Sequence, residues 1–306
     1  MLQILFHVVI GIFSLIFLFG VIYRKISGVC KCKNQLTGKT VIVTGASAGI
    51  GKEAAYDFAQ RGARVILACR NLEKAERIQD WIVESTGNKD VICRHLELSD
   101  LDSVRKFAKE TIEKEKRLDV LVNNAGRTVG VKNFLSMDMN LIVKSSPSRI
   151  INVSSIAHKF PGFNLEDLHY KNRKYGGMNS YSQSKLCNVL FTNELVRRLA
   201  QKGVDNVTVN SLHPGAVKTE IGNKSGKLWM KILGFFLSLL FKTEKLGAQT
   251  TIHLAVSDEG EKVTGKYFVD CKIASTSQKA KDKHLAKEVW RISEKEVGLT
   301  EEEKYF

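Results

Sequence analysis

Six short, almost continuously apolar runs constrain this chain more than any other feature. They are TVIVT (40–44), RVILA (64–68), VICRHLEL (91–98), DVLVN (119–123), RIINVS (149–154) and VTVNSL (207–212). Strands that do not alternate apolar with polar residues must be covered on both faces, which is the condition of a buried parallel sheet. Helical patterns lie between most of them, so the chain reads as βαβ units with right-handed crossovers. With 306 residues, 43% of them hydrophobic and only three prolines, it can bury a core without disulfide or metal staples and is neither collagen-like nor disordered. The expected fold is a single α/β domain with a doubly wound parallel sheet of Rossmann type.

The amino terminus stands apart from this pattern. Leu2 to Tyr23 contains no Asp, Glu, Lys or Arg, and as a helix it would extend about 33 Å, the thickness of a bilayer core. It lacks the basic n-region of a cleaved signal peptide and is longer than such a core. Arg24, Lys25, Lys31, Lys33 and Lys39 follow, and the first acidic residue of the chain is Glu53. The positive-inside rule keeps such a flank cytosolic. The expectation is a single-pass transmembrane anchor (1–23), a basic juxtamembrane linker (24–38) and a cytosol-facing domain (39–306). Part of the net charge of +15 therefore belongs to membrane topology. No recognition motif accompanies the rest, so nucleic acid is not an expected partner.

TVIVT runs directly into Gly45-Ala46-Ser47-Ala48-Gly49-Ile50-Gly51, and a helix begins near Lys52. Glycines let such a loop turn tightly against a pyrophosphate, which the helix start then favours through its free N–H groups and dipole. Where an NAD site ends its second strand in Asp or Glu, this chain has Cys69-Arg70-Asn71. Arg70, with Lys52, suits a 2′-phosphate, so NADP(H) is favoured over NAD(H). The alternative reading of Arg70 is a solvated loop side chain.

Tyr181 and Lys185 fall four residues apart at the start of a helical pattern reaching Gln201. They share a helix face, and an ammonium beside a phenol makes it a usable acid or base near neutrality. Ser154 and Ser155 end a parallel strand, where ligand sites of open α/β sheets form. Ser155 is the expected partner of the reacting oxygen.

TGASAGIG, Asn123-Asn124-Ala125-Gly126, the serine pair, YSQSK and His213-Pro214-Gly215 followed by Thr219 occur in the order of the short-chain dehydrogenase/reductase family, which this chain resembles. The anchor, ILACRN, SSIAH, SLHPGAVKTEI and GKYFVDCK are most similar to its retinol dehydrogenase branch. The resemblance implies hydride transfer between a nicotinamide and a lipophilic alcohol or carbonyl such as retinol or retinal. Tyr181 would be the proton donor in reduction, Lys185 would hold the nicotinamide ribose and Ser155 would fix the carbonyl. Cofactor contacts would fall to Gly45, Ser47, Gly49, Ile50, Gly51, Lys52, Arg70, Asn71, Glu97, Leu98, Asn123, Ala125, Gly126, Tyr181, Lys185, Pro214, Gly215 and Thr219. Glu97 stands where the family commonly has an Asp against adenine.

One departure matters. The family's active-site Asn lies on the helix between NNAG and the serine strand, and counting back from Ser155 arrives at Arg127. The connection here is residues 127–148, about 20 residues shorter than the branch usually has, though still longer than the 10–12 that a crossover needs. A short helix around 134–145 is expected. Asn133 is the best substitute for the missing Asn, and Asn140 a poorer one. Losing the Asn would disturb the relay of protons to Tyr181, so reduced or absent turnover with cofactor binding retained is the competing expectation. Losing the helix removes a surface that many members use to dimerise, which makes a homodimer doubtful.

An apolar, aromatic segment around 222–245 reads as a lid over a lipophilic substrate at the bilayer surface, or equally as an amphipathic core helix. The expected location is a single-pass membrane protein of the endoplasmic reticulum with its catalytic domain cytosolic. The six cysteines have no zinc spacing, so they are expected as reduced thiols. His158 and His253 are expected to be structural, with no metal site. The charged tail EKEVGLTEEEKYF is expected to be a solvated helix end.

Overall fold

The computed structural model describes residues 2–126, 139–217, 241–301 and 303–306. Each apolar run is a strand: β1 (Thr40–Thr44), β2 (Arg64–Cys69), β3 (Val91–His95), β4 (Val120–Asn123), β5 (Ser148–Val153) and β6 (Val207–His213), followed by β7 (Tyr267–Val269) and β8 (Lys272–Ala274). They form one sheet in the order β3-β2-β1-β4-β5-β6-β7-β8. All pairings are parallel except the last, between β7 and β8. Strand order reverses between β1 and β4, and the crevice at their carboxyl ends is where such sheets bind ligands.

Nine α-helices are described: α1 (Leu2–Ile26), α2 (Gly49–Gln60), α3 (Leu72–Thr86), α4 (Leu101–Lys114), α5 (Met139–Lys144), α6 (Gly177–Gln201), α7 (Glu244–Val256), α8 (Asp258–Lys262) and α9 (Lys283–Val297). The strands bury alternate residues in two layers, as the two-residue period requires. Val41, Val43, Val65, Leu67, Val122 and Ile151 pack with α2, α3 and α7. Ile42, Ile66, Leu121, Ile150 and Val209 pack with α4, α5, α6 and α9. Burial on both faces is what the unalternating runs require.

Several boundaries differ from the sequence pattern. β3 stops at His95, so Glu97 and Leu98 lie in the turn after it. α2 begins at Gly49, inside the glycine loop, because a glycine-rich turn can also be the first turn of the helix. Of the short helix expected around 134–145, α5 covers Met139–Lys144, and the remainder lies outside the described residues, as does the lid from 222 to 240.

The carboxyl tail is not a solvated helix end. α9 stops at Gly298, which adopts φ 56, and the chain then folds back. Phe306 meets Trp290 edge-on at 5.7 Å between centroids, and Trp290 in turn stacks on Phe191 at 4.8 Å. Arg105 of α4 pairs with Glu303 at 3.0 Å and donates to the Val297 carbonyl at 2.9 Å. Tyr305 and Phe306 line one cleft with Leu121, Met139, Ile142 and Phe191. The tail thus covers sheet surface beside α5.

Among the described residues no helix is long and apolar enough to cross a membrane, so the expected span is not supported by the structure. The backbone of α1 is helical over Leu2–Ile26. The segment after α1 is docked on the domain. Gly28 N–H donates to Asp270 Oδ1 at 3.0 Å and Cys30 N–H to Gln249 Oε1 at 3.0 Å. Leu36 is buried, with its N–H on the Arg61 carbonyl at 2.9 Å.

Candidate active site

The glycine loop is held against residues 123–126 by close backbone approach. Gly45 has φ +67, and a Cβ there would lie 3.0 Å from Ala125 Cβ; a Cβ on Gly51 would lie 2.5 Å from Asn124 Nδ2. Thr44 Oγ1 accepts the N–H groups of Asn124 and Ala125, both at 3.0 Å, and Asn124 Nδ2 donates to the Thr44 carbonyl at 2.9 Å. Ala48 precedes α2 without a side-chain cap, which leaves first-turn N–H groups of the helix directed at an anion. This cradle, closed to side chains and lined by uncapped amides, fits a dinucleotide pyrophosphate.

The adenosine side is more varied. Arg70 is largely exposed and pairs with Glu97, Nε to Oε2 3.3 Å. Glu97 Oε1 accepts from the Ser99 hydroxyl at 2.6 Å and its N–H at 3.1 Å; the Ser99 bonds first, then Arg70, hold this carboxyl below the usual range. Asn71 caps α3 by accepting the Lys74 N–H at 2.7 Å, so its side-chain oxygen is already committed. Lys52 pairs with Glu53 at 3.3 Å and lies 4.8 Å from the Trp81 ring centre. Ser47 is hydrogen-bonded to the Cys69 thiol, Ile50 packs beside Gly247, and Leu98 packs against the core.

At the carboxyl end of β5 the two serines divide their roles. Ser154 is buried, and its hydroxyl donates to the Lys185 carbonyl at 2.7 Å, tying β5 to α6. Ser155 accepts the Ala157 N–H at 3.2 Å as the cap of a short 3-10 turn, Ile156–Lys159, and its hydroxyl proton is free for another acceptor. Tyr181 and Lys185 stand one turn apart near the start of α6, with Lys185 Nζ 5.5 Å from the Tyr181 ring centre. Lys185 is buried, which lowers its ammonium to about 8. Nζ donates to the Val153 carbonyl at 3.2 Å. A Cβ on Gly126 would lie 2.8 Å from that Nζ, so the NNAG turn reaches the lysine. Asn123 donates to Asn152 Oδ1 at 2.9 Å, inside the sheet.

The structure therefore brings Tyr181, Lys185 and Gly126 together, with Ser155 just past the end of β5, next to Ser154 that bonds the Lys185 carbonyl. Pro214 and Gly215 follow β6 at the same end of the sheet. Gly215 has φ +91, and a Cβ there would lie 2.6 Å from Lys242 Cε. Thr219 and Asn133 lie outside the described residues. Asn140 is exposed on α5, whose carboxyl end is tied to the start of β4 through Ser145 Oγ, which accepts the Leu118 N–H at 2.7 Å, while Met139 beside it lines a cleft with Asn123.

Two neighbours, Tyr267 and Asn188, were not singled out by sequence, and a third, His158, was expected to be structural. His158 Nδ1–H donates to the Ser155 carbonyl at 2.7 Å, and Nε2 accepts the Ser277 N–H at 3.2 Å. Both ring nitrogens are used by one neutral tautomer, and burial holds the ring's pKa down. Tyr267 meets that ring edge-on at 4.7 Å, and its buried hydroxyl has no partner among the described residues. Burial, then Tyr181, pushes the Tyr267 phenol up. Asn188 shares the Val153 carbonyl with Lys185, at 3.0 Å. Their only signals in sequence were the motifs SSIAH and GKYFVDCK, and one helical turn beyond YSQSK. Away from this site, and against the expectation from spacing, Cys30, Cys32 and His253 gather into one cluster.

The family model described as short chain dehydrogenase matches residues 39–145 and 129–228. The two matches overlap across the shortened crossover, so the family pattern is interrupted there. Human retinol dehydrogenase 13 is 42% identical over 295 aligned positions, covering 89% of this chain and 88% of the relative. Since 89% of 306 residues is about 272, about 23 aligned positions hold no residue of this chain, close to the shortening inferred from the motifs. Human retinol dehydrogenase 12 is 37% identical, covering 94% of this chain and 96% of the relative. Among solved structures, an uncharacterised protein of Mycobacterium paratuberculosis is 30% identical with a TM-score of 0.67, covering 89% of this chain and 98% of that one. The Pseudomonas aeruginosa RhlG/NADP complex shares the fold at a TM-score of 0.60 and 21% identity, covering 76% of this chain and 95% of that one. This chain belongs to the short-chain dehydrogenase family, in its retinol dehydrogenase branch, and is an oxidoreductase of that type.

Proposed function

We propose that this protein is a membrane-anchored, NADP(H)-dependent oxidoreductase for a lipophilic alcohol or carbonyl such as retinol or retinal, with turnover slowed by its short crossover. The observation that carries the reading is the meeting of Tyr181, buried Lys185 and Gly126, with Ser155 next to Ser154, which bonds the Lys185 carbonyl at the end of β5. A bound nicotinamide supplies or accepts the hydride. Tyr181 protonates the carbonyl oxygen in reduction or takes its proton in oxidation, and Ser155 donates a hydrogen bond to the same oxygen. Lys185, charged below a pKa of about 8, stabilises the phenolate and holds the ribose. Arg70 binds the 2′-phosphate, exchanging its exposed pairing with Glu97 for a doubly charged partner.

The membrane reading rests on sequence and on exposed apolar surface. Leu15, Phe17, Phe19, Ile22 and Ile26 of α1 are exposed, and Arg24 and Lys25 end the helix. So large an apolar surface calls for a non-aqueous partner. The proposed location is the endoplasmic reticulum, with residues 39–306 cytosolic and the 222–245 segment at the bilayer surface. A monomer fits better than a homodimer, because the crossover at 127–148 is shorter than the family's.

A second reading is favoured by one observation, the interrupted family match at the crossover: the protein binds NADP(H) without efficient turnover. The experiment is NADPH oxidation by membranes carrying the full chain with all-trans-retinal, beside Tyr181→Phe, together with NADPH-induced thermal stabilisation. Slow turnover abolished by Tyr181→Phe is expected. Stabilisation without turnover establishes the second reading, and neither effect overturns both.

A further inference from the structure

Cys30 and Cys32 lie on the segment that leaves α1, and His253 lies on α7, so nothing in the sequence links them. Docking of that segment brings one donor atom of each within 4.8 Å of the other two, all three half-buried. Both cysteines are free thiols. The geometry is fixed from several sides. Cys30 N–H donates to Gln249, one turn before His253 on α7, at 3.0 Å, and Arg61 Nη1 donates to the Cys32 carbonyl at 2.9 Å. Arg61 also pairs with Asp57 at 2.5 Å, and its charge favours the Cys30 thiolate.

His253 carries a further feature. Its Nε2 lies 3.0 Å from Glu259 Oε2, which fixes the ring and leaves Nδ1 as the nitrogen with a lone pair to offer. A carboxylate on the far ring nitrogen is the outer-shell partner that metal-binding histidines characteristically have, and it raises the basicity of the ligating nitrogen. In a tetrahedral zinc site the Zn–S and Zn–N bonds of about 2.3 and 2.0–2.1 Å put donor atoms roughly 3.6–3.8 Å apart. Closing the present cluster to that size asks each side chain to move by about 1 Å or less, within the breadth of a rotamer well.

We propose that Cys30, Cys32 and His253 form a site for one Zn2+ ion, with water in the fourth position and Glu259 orienting the histidine. Two thiols and a neutral imidazole suit this borderline-soft d10 cation better than magnesium or calcium, which take oxygen donors. Binding forms two Zn–S bonds and one Zn–N bond and releases two thiol protons to solvent, with no change of oxidation state. The ion would clamp the exit of α1 to α7, whose Gly247 packs against Ile50 of the cofactor loop.

The test uses the full chain, reduced and in detergent, titrated anaerobically with Co2+ as a spectroscopic stand-in and then with Zn2+. A thiolate-to-cobalt charge-transfer band saturating at one equivalent, displaced by Zn2+, is expected. Cys32→Ser and His253→Ala should lose the band, Cys93→Ser should keep it, and Glu259→Gln should weaken binding by about 10–100-fold. Absence of the band in wild type, or equal binding by Cys32→Ser, overturns the proposal. So does an intact mass two hydrogens short with no metal retained, which would make the pair a disulfide. Circular dichroism of each variant separates lost binding from lost fold.

Discussion

The Lys185 ammonium stands 5.5 Å from the centre of the Tyr181 ring and donates to the Val153 carbonyl, in a site where a Cβ on Gly126 would touch it at 2.8 Å. Helix α6 sets the first relationship, β5 the second and the NNAG turn the third. The lysine is thus buried against the Val153 carbonyl, and its ammonium falls from 10.5 to about 8.

That burial has a sign. Between about 8 and 10.5 the unfolded chain holds a proton that the folded chain has released, so the contribution of Lys185 to stability rises with pH across that window. Near pH 7 its buried charge is a penalty of about 3 kcal/mol at roughly 1.4 kcal/mol per pH unit. Lys185→Met should therefore stabilise the cofactor-free protein by up to that amount, flatten the rise and abolish turnover. Urea unfolding near neutrality and at about pH 10 checks it; a destabilised variant would contradict the assignment.

His213 has the same sign on the acid side. Burial, then Lys242, lowers it to about 4, and Nδ1 has no partner among the described residues. Its neutral form contributes fully above 6.5, and that contribution is lost as pH falls from there through about 4. His213→Asn should show a shallower loss of melting temperature over that interval than wild type. Parallel curves would mean that other groups govern acid unfolding.

Arg70 sets the expected cofactor preference. Arg70→Ala removes charge-assisted hydrogen bonds to a 2′-phosphate, each worth about 1.5–3 kcal/mol. NADPH affinity should fall at least tenfold while NADH affinity holds, read by thermal stabilisation against each cofactor. Equal losses for both would assign Arg70 a merely structural role beside Glu97.

The carboxyl tail should matter to stability. Removing Tyr305 and Phe306 uncovers Trp290 and should destabilise the domain by about 1–3 kcal/mol, measured by urea unfolding. No change would return the tail to the solvent-facing role expected from its charge.

Strand positions were legible because TVIVT, RVILA and DVLVN are apolar on both faces, a demand that only a two-sided parallel sheet meets. Ser155, Tyr181, Lys185 and the glycine loop were legible because each is tied to a local element. His158, Tyr267 and the Cys30–Cys32–His253 cluster were not, since their partners come from distant segments that only docking unites. Tyr305 and Phe306 misled because a charged run hid two aromatic anchors at its end.

The central claim is that the cofactor site is intact while the short crossover limits the chemistry. Its most direct test is kcat for all-trans-retinal reduction after residues 127–138 are replaced by the longer crossover of human retinol dehydrogenase 13, with NADPH-induced stabilisation confirming the fold. General acid catalysis is worth about 10²–10⁴-fold, so restoring the relay should raise kcat by on the order of 10²-fold with NADPH binding unchanged. A folded graft that binds NADPH and turns over no faster than the native chain would contradict the account.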